Sequence, residues 1–114
     1  MKKSLTIKEN HVFRQMYHKG MSAVTPFMVV YCRKNRLGHN RLGITVSTKL
    51  GGAVVRNRAR RRLREVYRLA QPRMKQGYDI VLVARTRSVE GNYQRMTVAF
   101  YQAAGKLGLT EEMP

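Results

Sequence analysis

The sequence predicts an α/β (α+β) two-layer sandwich whose elements run helix, strand, strand, helix, strand, helix. Three observations predict it. Apolar residues recur at helical spacing near 8–19, 55–70 and 93–107. Residues 25–33 form a β-branched apolar run, and 41–47 alternate with period two. Tyr78-Asp-Ile-Val-Leu-Val-Ala84 is almost unbroken apolar sequence, as a strand covered on both faces requires. At 114 residues the chain can bury one core but not two, so 1–114 reads as one domain, with 1–7 and 109–114 as flexible tails.

In the first helix, Val12, Phe13, Met16 and Tyr17 share a face, and Gly20 stands where a C-cap belongs. The first strand opens at Pro26, tolerated at a strand start. Strict alternation puts Phe27, Val29 and Tyr31 on one face and Met28, Val30 and Cys32 on the other. A polar, basic stretch at 33–40 suggests a hairpin to the next strand, where Leu42, Ile44 and Val46 alternate with Arg41, Gly43, Thr45 and Ser47. Gly51 and Gly52 then give the backbone freedom to enter the second helix. Tyr93, Met96, Phe100, Ala104 and Leu107 mark the last helix. Cys32, the single cysteine, reads as a small buried hydrophobe.

The charge is unusual: 23 Lys plus Arg against 6 Asp plus Glu, a net +17. Its densest part is the second helix, where Val55, Ala59, Leu63, Val66 and Ala70 make one stripe. Arg56, Arg58, Arg60, Arg61, Arg62, Arg64 and Arg68 crowd the remainder, with Glu65 the one acid. A solvated face normally mixes signs. This one needs a polyanion to relieve repulsion between like charges a turn apart, and arginine's planar fork suits phosphate. Arg58 and Arg62 lie nearer the apolar stripe than Arg60 and Arg64, so some of the set brace the fold. No run approaches the roughly 18 apolar residues of a membrane span, and no signal-peptide pattern follows the basic start, so a cytoplasmic location is expected.

Catalytic groups are scarce. Glu65, Asp79 and Glu90 are scattered among elements, and His11, His18 and His39 lack metal-ligand spacing. Ser47 and Ser88 have no nucleophile-elbow context. The glycines before the second helix match neither a P-loop nor a dinucleotide fingerprint. An enzyme built with this chain draws its catalytic groups from a partner.

The run Lys49-x-x-Gly52-Ala-Val-x-Arg56-Asn57-Arg58-x-Arg60-Arg61-x-x-Arg64-Glu65 resembles the signature of the bacterial ribonuclease P protein component. Phe13-x-x-Met-Tyr-x-x-Gly20, Phe27-x-x-x-Tyr31, Arg41-Leu-Gly-Ile-Thr-Val-Ser47 and 77–85 resemble that family's other elements in order. Thr48 and Gly52 depart from it, standing where a basic residue and an Asn are common. The resemblance implies a fold shared with a ribosomal-protein domain, with a left-handed β-α-β crossover through the arginine-rich helix. Sequence rules alone favour the right-handed one.

The resemblance further implies a subunit of ribonuclease P that binds the catalytic RNA and the 5′ leader of precursor tRNA, one protein per RNA. The RNA holds the magnesium ions and performs the cleavage, so no catalytic residue and no metal ligand is expected on the protein. The implied catalytic-RNA contacts are Lys49, Arg56, Asn57, Arg58, Arg60, Arg61, Arg64 and Arg68; the implied leader cleft, between first helix and sheet, is lined by Phe13, Arg14, Tyr17, Phe27 and Tyr31. A structural ribosomal protein of similar fold is the alternative, and a protein-only nuclease a third reading.

Overall fold

The computed structural model describes residues 5–7 and 10–110. Five strands form one mixed sheet: β1 (Leu5–Thr6), β2 (Met21–Val24), β3 (Met28–Lys34), β4 (Arg41–Thr45) and β5 (Tyr78–Ala84), in the spatial order β1-β4-β5-β3-β2. Helix α1 (Asn10–Lys19) lies on one face. Helices α2 (Ala53–Ala70) and α3 (Tyr93–Lys106) cover the other.

β5 organises the sheet because it is apolar on both sides. Ile80 and Leu82 enter the core beneath α2 and α3, while Val81 packs under α1 with Ile7, Val12 and Met16. Such a strand belongs between two neighbours, and it pairs parallel with β4 and antiparallel with β3. The hairpin expected between the strands at 25–33 and 41–47 therefore does not exist. β5 occupies the place between them, and loop 35–40 steps across its N-terminal end. The true hairpin joins β2 to β3, with Val24 opposite Val29. Its turn is closed by Thr25, whose Oγ1 accepts from the N–H groups of Phe27 (3.1 Å) and Met28 (2.9 Å).

A polar knot holds the stepping loop. Asp79 is fully buried, yet Arg41 donates to both its oxygens, Nε to Oδ1 at 2.8 Å and Nη2 to Oδ2 at 2.7 Å. Asn35 Nδ2 donates to Oδ1 at 2.9 Å, and Arg33 Nε lies 4.0 Å from Oδ2. Beside it the buried Asn40 accepts from Tyr78 N–H (2.9 Å) and donates to the Lys75 carbonyl (2.9 Å). Burial pushes the Asp79 carboxyl up, but the Arg41 and Asn35 hydrogen bonds with the Arg41 and Arg33 charges outweigh it and hold it below its usual range.

The hand of the β4-α2-β5 crossover follows from Leu42. Its side chain packs toward α2, and its C=O accepts from Ile7 N–H, just after β1, at 2.9 Å. For an L-residue on a strand running upward, a side chain facing the viewer sends its C=O to the right. β1 thus stands right of β4 and β5 left of it, so the chain descends through α2 in front and re-enters on the left. The crossover is left-handed, as the resemblance implies and against the usual rule.

Both expected tails are packed where described. Leu5–Thr6 pairs with β4, and Ile7 is buried against α1. At the other end Gly108 takes a left-handed φ of 73° and closes α3. Gly108 N–H reaches the Gly105 carbonyl (3.1 Å) and Leu109 N–H the Ala104 carbonyl (2.8 Å), a Schellman motif that drives Leu109 into the core. Residues 1–4 and 111–114 lie outside the described residues. Cys32 is buried in the core, and burial pushes its thiol up to about 11.

Removing the carboxylate from the knot leaves two arginines facing a buried neutral group. Asp79→Asn is expected to cost about 3 kcal/mol in urea unfolding. Because folding lowers this pKa, the knot stabilises fully above roughly pH 4 and loses its contribution as pH falls through the lowered value. The variant should lack that acid-dependent loss, and an identical pH profile in both proteins would show that Asp79 is not its source.

Candidate nucleic-acid interface

The two sheet faces carry different chemistry. On the α1 face a side-chain floor is laid down by register: Gly43, Val81, Tyr31 and Ser22 form one row, and Thr45, Val83, Val29 and Val24 the next. The Phe13 ring rests on Gly43, where a Cβ would meet Phe13 Cζ at 2.6 Å, so glycine is what lets α1 sit this low. Tyr17 meets Tyr31 edge to face at 5.0 Å between centroids, and its OH hydrogen-bonds Thr45 Oγ1 at 3.1 Å. Tyr17 nonetheless keeps 41 % of its surface exposed. It is oriented by its partners and open to a ligand.

Of the residues expected in this cleft, Phe13, Tyr17 and Tyr31 are brought together. Arg14 is exposed on α1, and among the described residues no hydrogen bond or ion pair ties it to the floor. Phe27 is not in the cleft. It precedes β3 within the turn set by Thr25 and Pro26, which breaks the alternation, and it is buried in the core beneath α2 and α3. Arg87 lies over its ring at 5.7 Å. Val29, Val83 and Thr45 complete the floor, and the alternation of β3 and β5 is the signal that could have found them.

On the opposite face, α2 sorts its arginines by angle. Ala59, Leu63, Val66, Tyr67 and Ala70 are buried. So is Arg62, only 8 % exposed: Nε donates to the Ser88 carbonyl (2.8 Å), Nη2 to the Gly91 carbonyl, and the guanidinium covers the Tyr93 ring at 4.3 Å. Arg62 is the brace that joins α2 to the approach of α3. Arg58, by contrast, is exposed with Asn57, Arg61 and Arg64. Arg56 is half-buried with Nε enclosed and unpaired. Arg60 is also half-buried and reaches the β4 side, sharing a hollow of about 370 Å³ with Phe13, Tyr17, Ile44, Thr45 and Val46.

Arg68 is engaged within the helix, donating from Nε and Nη2 to both Glu65 oxygens at 2.9 and 2.8 Å. That hydrogen bond holds the Glu65 carboxyl below its usual range. Lys49 is exposed in the 3₁₀ turn Thr48–Leu50 before the helix, its N–H bonded to Ser47 Oγ at 3.1 Å. α2 starts at Gly52 without a side-chain cap, so its first N–H groups add positive potential beside Lys49.

Among the described residues no group of three or more His, Cys, Asp or Glu could hold a metal ion, and no helix is long and apolar enough to cross a membrane. Arginines exposed along one helix and oriented aromatics across the sheet define a class, that of RNA-binding proteins. Comparison with known proteins specifies it further. A family profile described as Ribonuclease P matches residues 1–108. The ribonuclease P protein component of Natranaerobius thermophilus is 40% identical over 112 residues, covering 98% of this chain and 97% of that protein. That of Thermoanaerobacter sp. is 42% identical over 95 residues, covering 83% and 82%. The Staphylococcus aureus RNase P protein structure superposes with a TM-score of 0.81 at 31% identity, covering 96% of this chain and 100% of that one. The Thermotoga maritima RNase P protein gives 0.75 at 27%, covering 89% and 94%. The chain belongs to the ribonuclease P protein family, the protein part of an endoribonuclease ribonucleoprotein. These relatives do not favour the ribosomal-protein alternative.

The sorting of α2 is directly measurable. Arg62→Ala should lower stability to urea by about 2–4 kcal/mol, since it leaves buried carbonyls unpaired. Arg61→Ala should change it by less than about 0.5 kcal/mol. Equal effects would remove the distinction between brace and exposed surface.

Proposed function

We propose that the chain works through two surfaces, α2 for the ribonuclease P RNA and the α1-side floor for the 5′ leader of precursor tRNA. The observation that carries this division is Tyr17, half-exposed and oriented by Tyr31 and Thr45 on the α1 face of the sheet, with only Arg60 of α2 reaching the same hollow among its lining residues. An unpaired base stacks on such a ring irrespective of its identity, at about 1–3 kcal/mol per base. Phe13 and Tyr31 support that platform.

The catalytic RNA meets Lys49, Arg56, Asn57, Arg58, Arg61 and Arg64. Arg60 lies at the margin between the two surfaces, and Arg68 must exchange or share its bond to Glu65. Surface ion pairs of this kind contribute little, so phosphate can replace the carboxylate readily. One protein per catalytic RNA and a cytoplasmic location complete the reading.

Magnesium ions belong with the RNA in this proposal. The donor set of the described residues does not suit them: Asp79 is enclosed by Arg41 and Asn35, and Glu65 is bonded to Arg68. Leader hydrolysis is the RNA's chemistry, and the protein binds, orients and neutralises phosphate.

Reconstitution tests this. With the cognate RNA at low magnesium, adding the protein should restore cleavage of precursor tRNA. No stimulation, or cleavage by RNA-free protein, would overturn the reading. Arg64→Ala should weaken RNA binding and make the logarithmic salt dependence shallower by about 0.7–0.9 for each phosphate that Arg64 neutralises. Tyr17→Ala should weaken binding of leader-bearing precursor by about 5- to 150-fold, with mature tRNA unaffected.

A further inference from the structure

We propose that the flank of α2 turned toward α3 holds a site for one unpaired nucleobase of the catalytic RNA, built on Tyr93 and Leu69. The proposal rests on the reading of α2 as the RNA-binding helix and adds a contact that phosphate binding does not use. Arg61, Arg64, Glu65, Arg68 and Leu69 recur at helical spacing along one stripe of α2. Together with Tyr93 they line a hollow of about 510 Å³. That volume falls within the range of small-molecule sites and takes a base with its ribose. Leu69 is 47 % exposed and Tyr93 39 %. A phosphate gains nothing from either side chain, whereas an unstacked base leaves water for such surface.

Tyr93 is fixed in place before any ligand arrives. It is the first residue of α3, behind the cap in which Asn92 Oδ1 accepts from the N–H groups of Gln94 (2.8 Å) and Arg95 (3.3 Å). Its C=O accepts from Thr97 Oγ1 at 2.8 Å. The Arg62 guanidinium, itself held by the Ser88 and Gly91 carbonyls, lies over the ring at 4.3 Å. A ring so backed loses little freedom when a base stacks on it. The surrounding charges are sorted to match. Arg61 and Arg64 are exposed and offer donors to the phosphates on either side of the base. Glu65, the one acid of α2, is bonded to Arg68 through both oxygens and repels a phosphate from the hollow itself. Its remaining lone pairs can accept from a base amino or imino group. This hollow shares no lining residue with the one at Phe13 and Tyr17, so it is separate from the leader floor.

The test measures binding of the cognate ribonuclease P RNA to the full chain over a range of salt concentrations. Leu69→Lys adds a cation at an exposed helical position, so a surface that takes only phosphate binds tighter and a base site binds more weakly. Weaker binding is expected. Tyr93→Leu should lower affinity about 5- to 150-fold and leave the logarithmic salt dependence unchanged, because the lost contact is not to phosphate. Tyr93→Phe, which keeps the ring, should restore the affinity, and melting curves establish that each variant is folded. Ultraviolet irradiation of the complex should crosslink Tyr93 to one unpaired nucleotide. An abasic residue at that nucleotide should weaken the wild-type complex as much as Tyr93→Leu does, with no further loss in the variant. Tighter binding by Leu69→Lys, unchanged affinity of folded Tyr93→Leu, or additive losses from that variant and the abasic RNA would each overturn the base site. If Arg64→Ala leaves both affinity and salt dependence intact, the reading of α2 itself fails; if Arg64→Ala acts and the Leu69 and Tyr93 variants do not, only the base site does.

Discussion

The buried carboxylate of Asp79 is the constraint on which the architecture depends. β5 can be central only if the chain passes over its end, and a loop that does so exposes backbone and polar side chains at the margin of a core. Asp79 gathers Arg41 from one neighbouring strand, and Arg33 and Asn35 from the other strand and its loop, at the point of passage. Once β5 lies between β3 and β4, the link from β4 to β5 must run along a face, and α2 fills it. The same placement turns Val81 and Val83 toward α1. The separation of arginine helix from aromatic floor is therefore a consequence of strand order.

A charge of +17 would be a liability if all its members were equivalent. They are not. Arg41 neutralises Asp79, Arg62 bonds carbonyls and a ring, Arg68 bonds Glu65, and Arg85 ties β5 to the hairpin turn. Guanidinium groups can brace and bind because their donors point in fixed, different directions. A lysine in the place of Arg62 would reach one carbonyl and forfeit the flat contact with Tyr93.

Sequence pattern resolved the helices and the strands at 28–34, 41–45 and 78–84, because each has enough residues to display a period. It passed over β1 and β2, which are too short to show one and are held by pairing rather than by propensity. The order of strands was not legible from alternation: β3 and β4 look like hairpin partners until the two-sided apolarity of β5 is allowed to decide. The hand of the crossover was legible only through family resemblance, since the stripe on α2 is the same for either hand. Phe27 was misplaced by one turn residue, for Thr25 and Pro26 shift the point at which alternation begins. Arg62 showed its angle in the sequence but not its partners, which come from 26 residues away and beyond. Arg58, at a similar angle, is exposed.

The exposed and half-buried arginines of α2 repel one another in the free protein. Arg60, Arg61 and Arg64 lie within about one turn, and half-buried Arg56 sits a turn before Arg60. Removing one of the exposed members relieves repulsion in the free protein; under the proposed division of surfaces it also removes an attraction in the complex, so stability and RNA affinity are expected to move in opposite directions. For the braces the two move together, since losing Arg62 or Asp79 loosens the frame that presents the surface. Binding that favours the folded state adds to apparent stability in proportion to the logarithm of RNA concentration over its dissociation constant. The proposed distinction between brace and RNA-facing arginine is therefore a difference in sign, expected even where both kinds of substitution reduce cleavage.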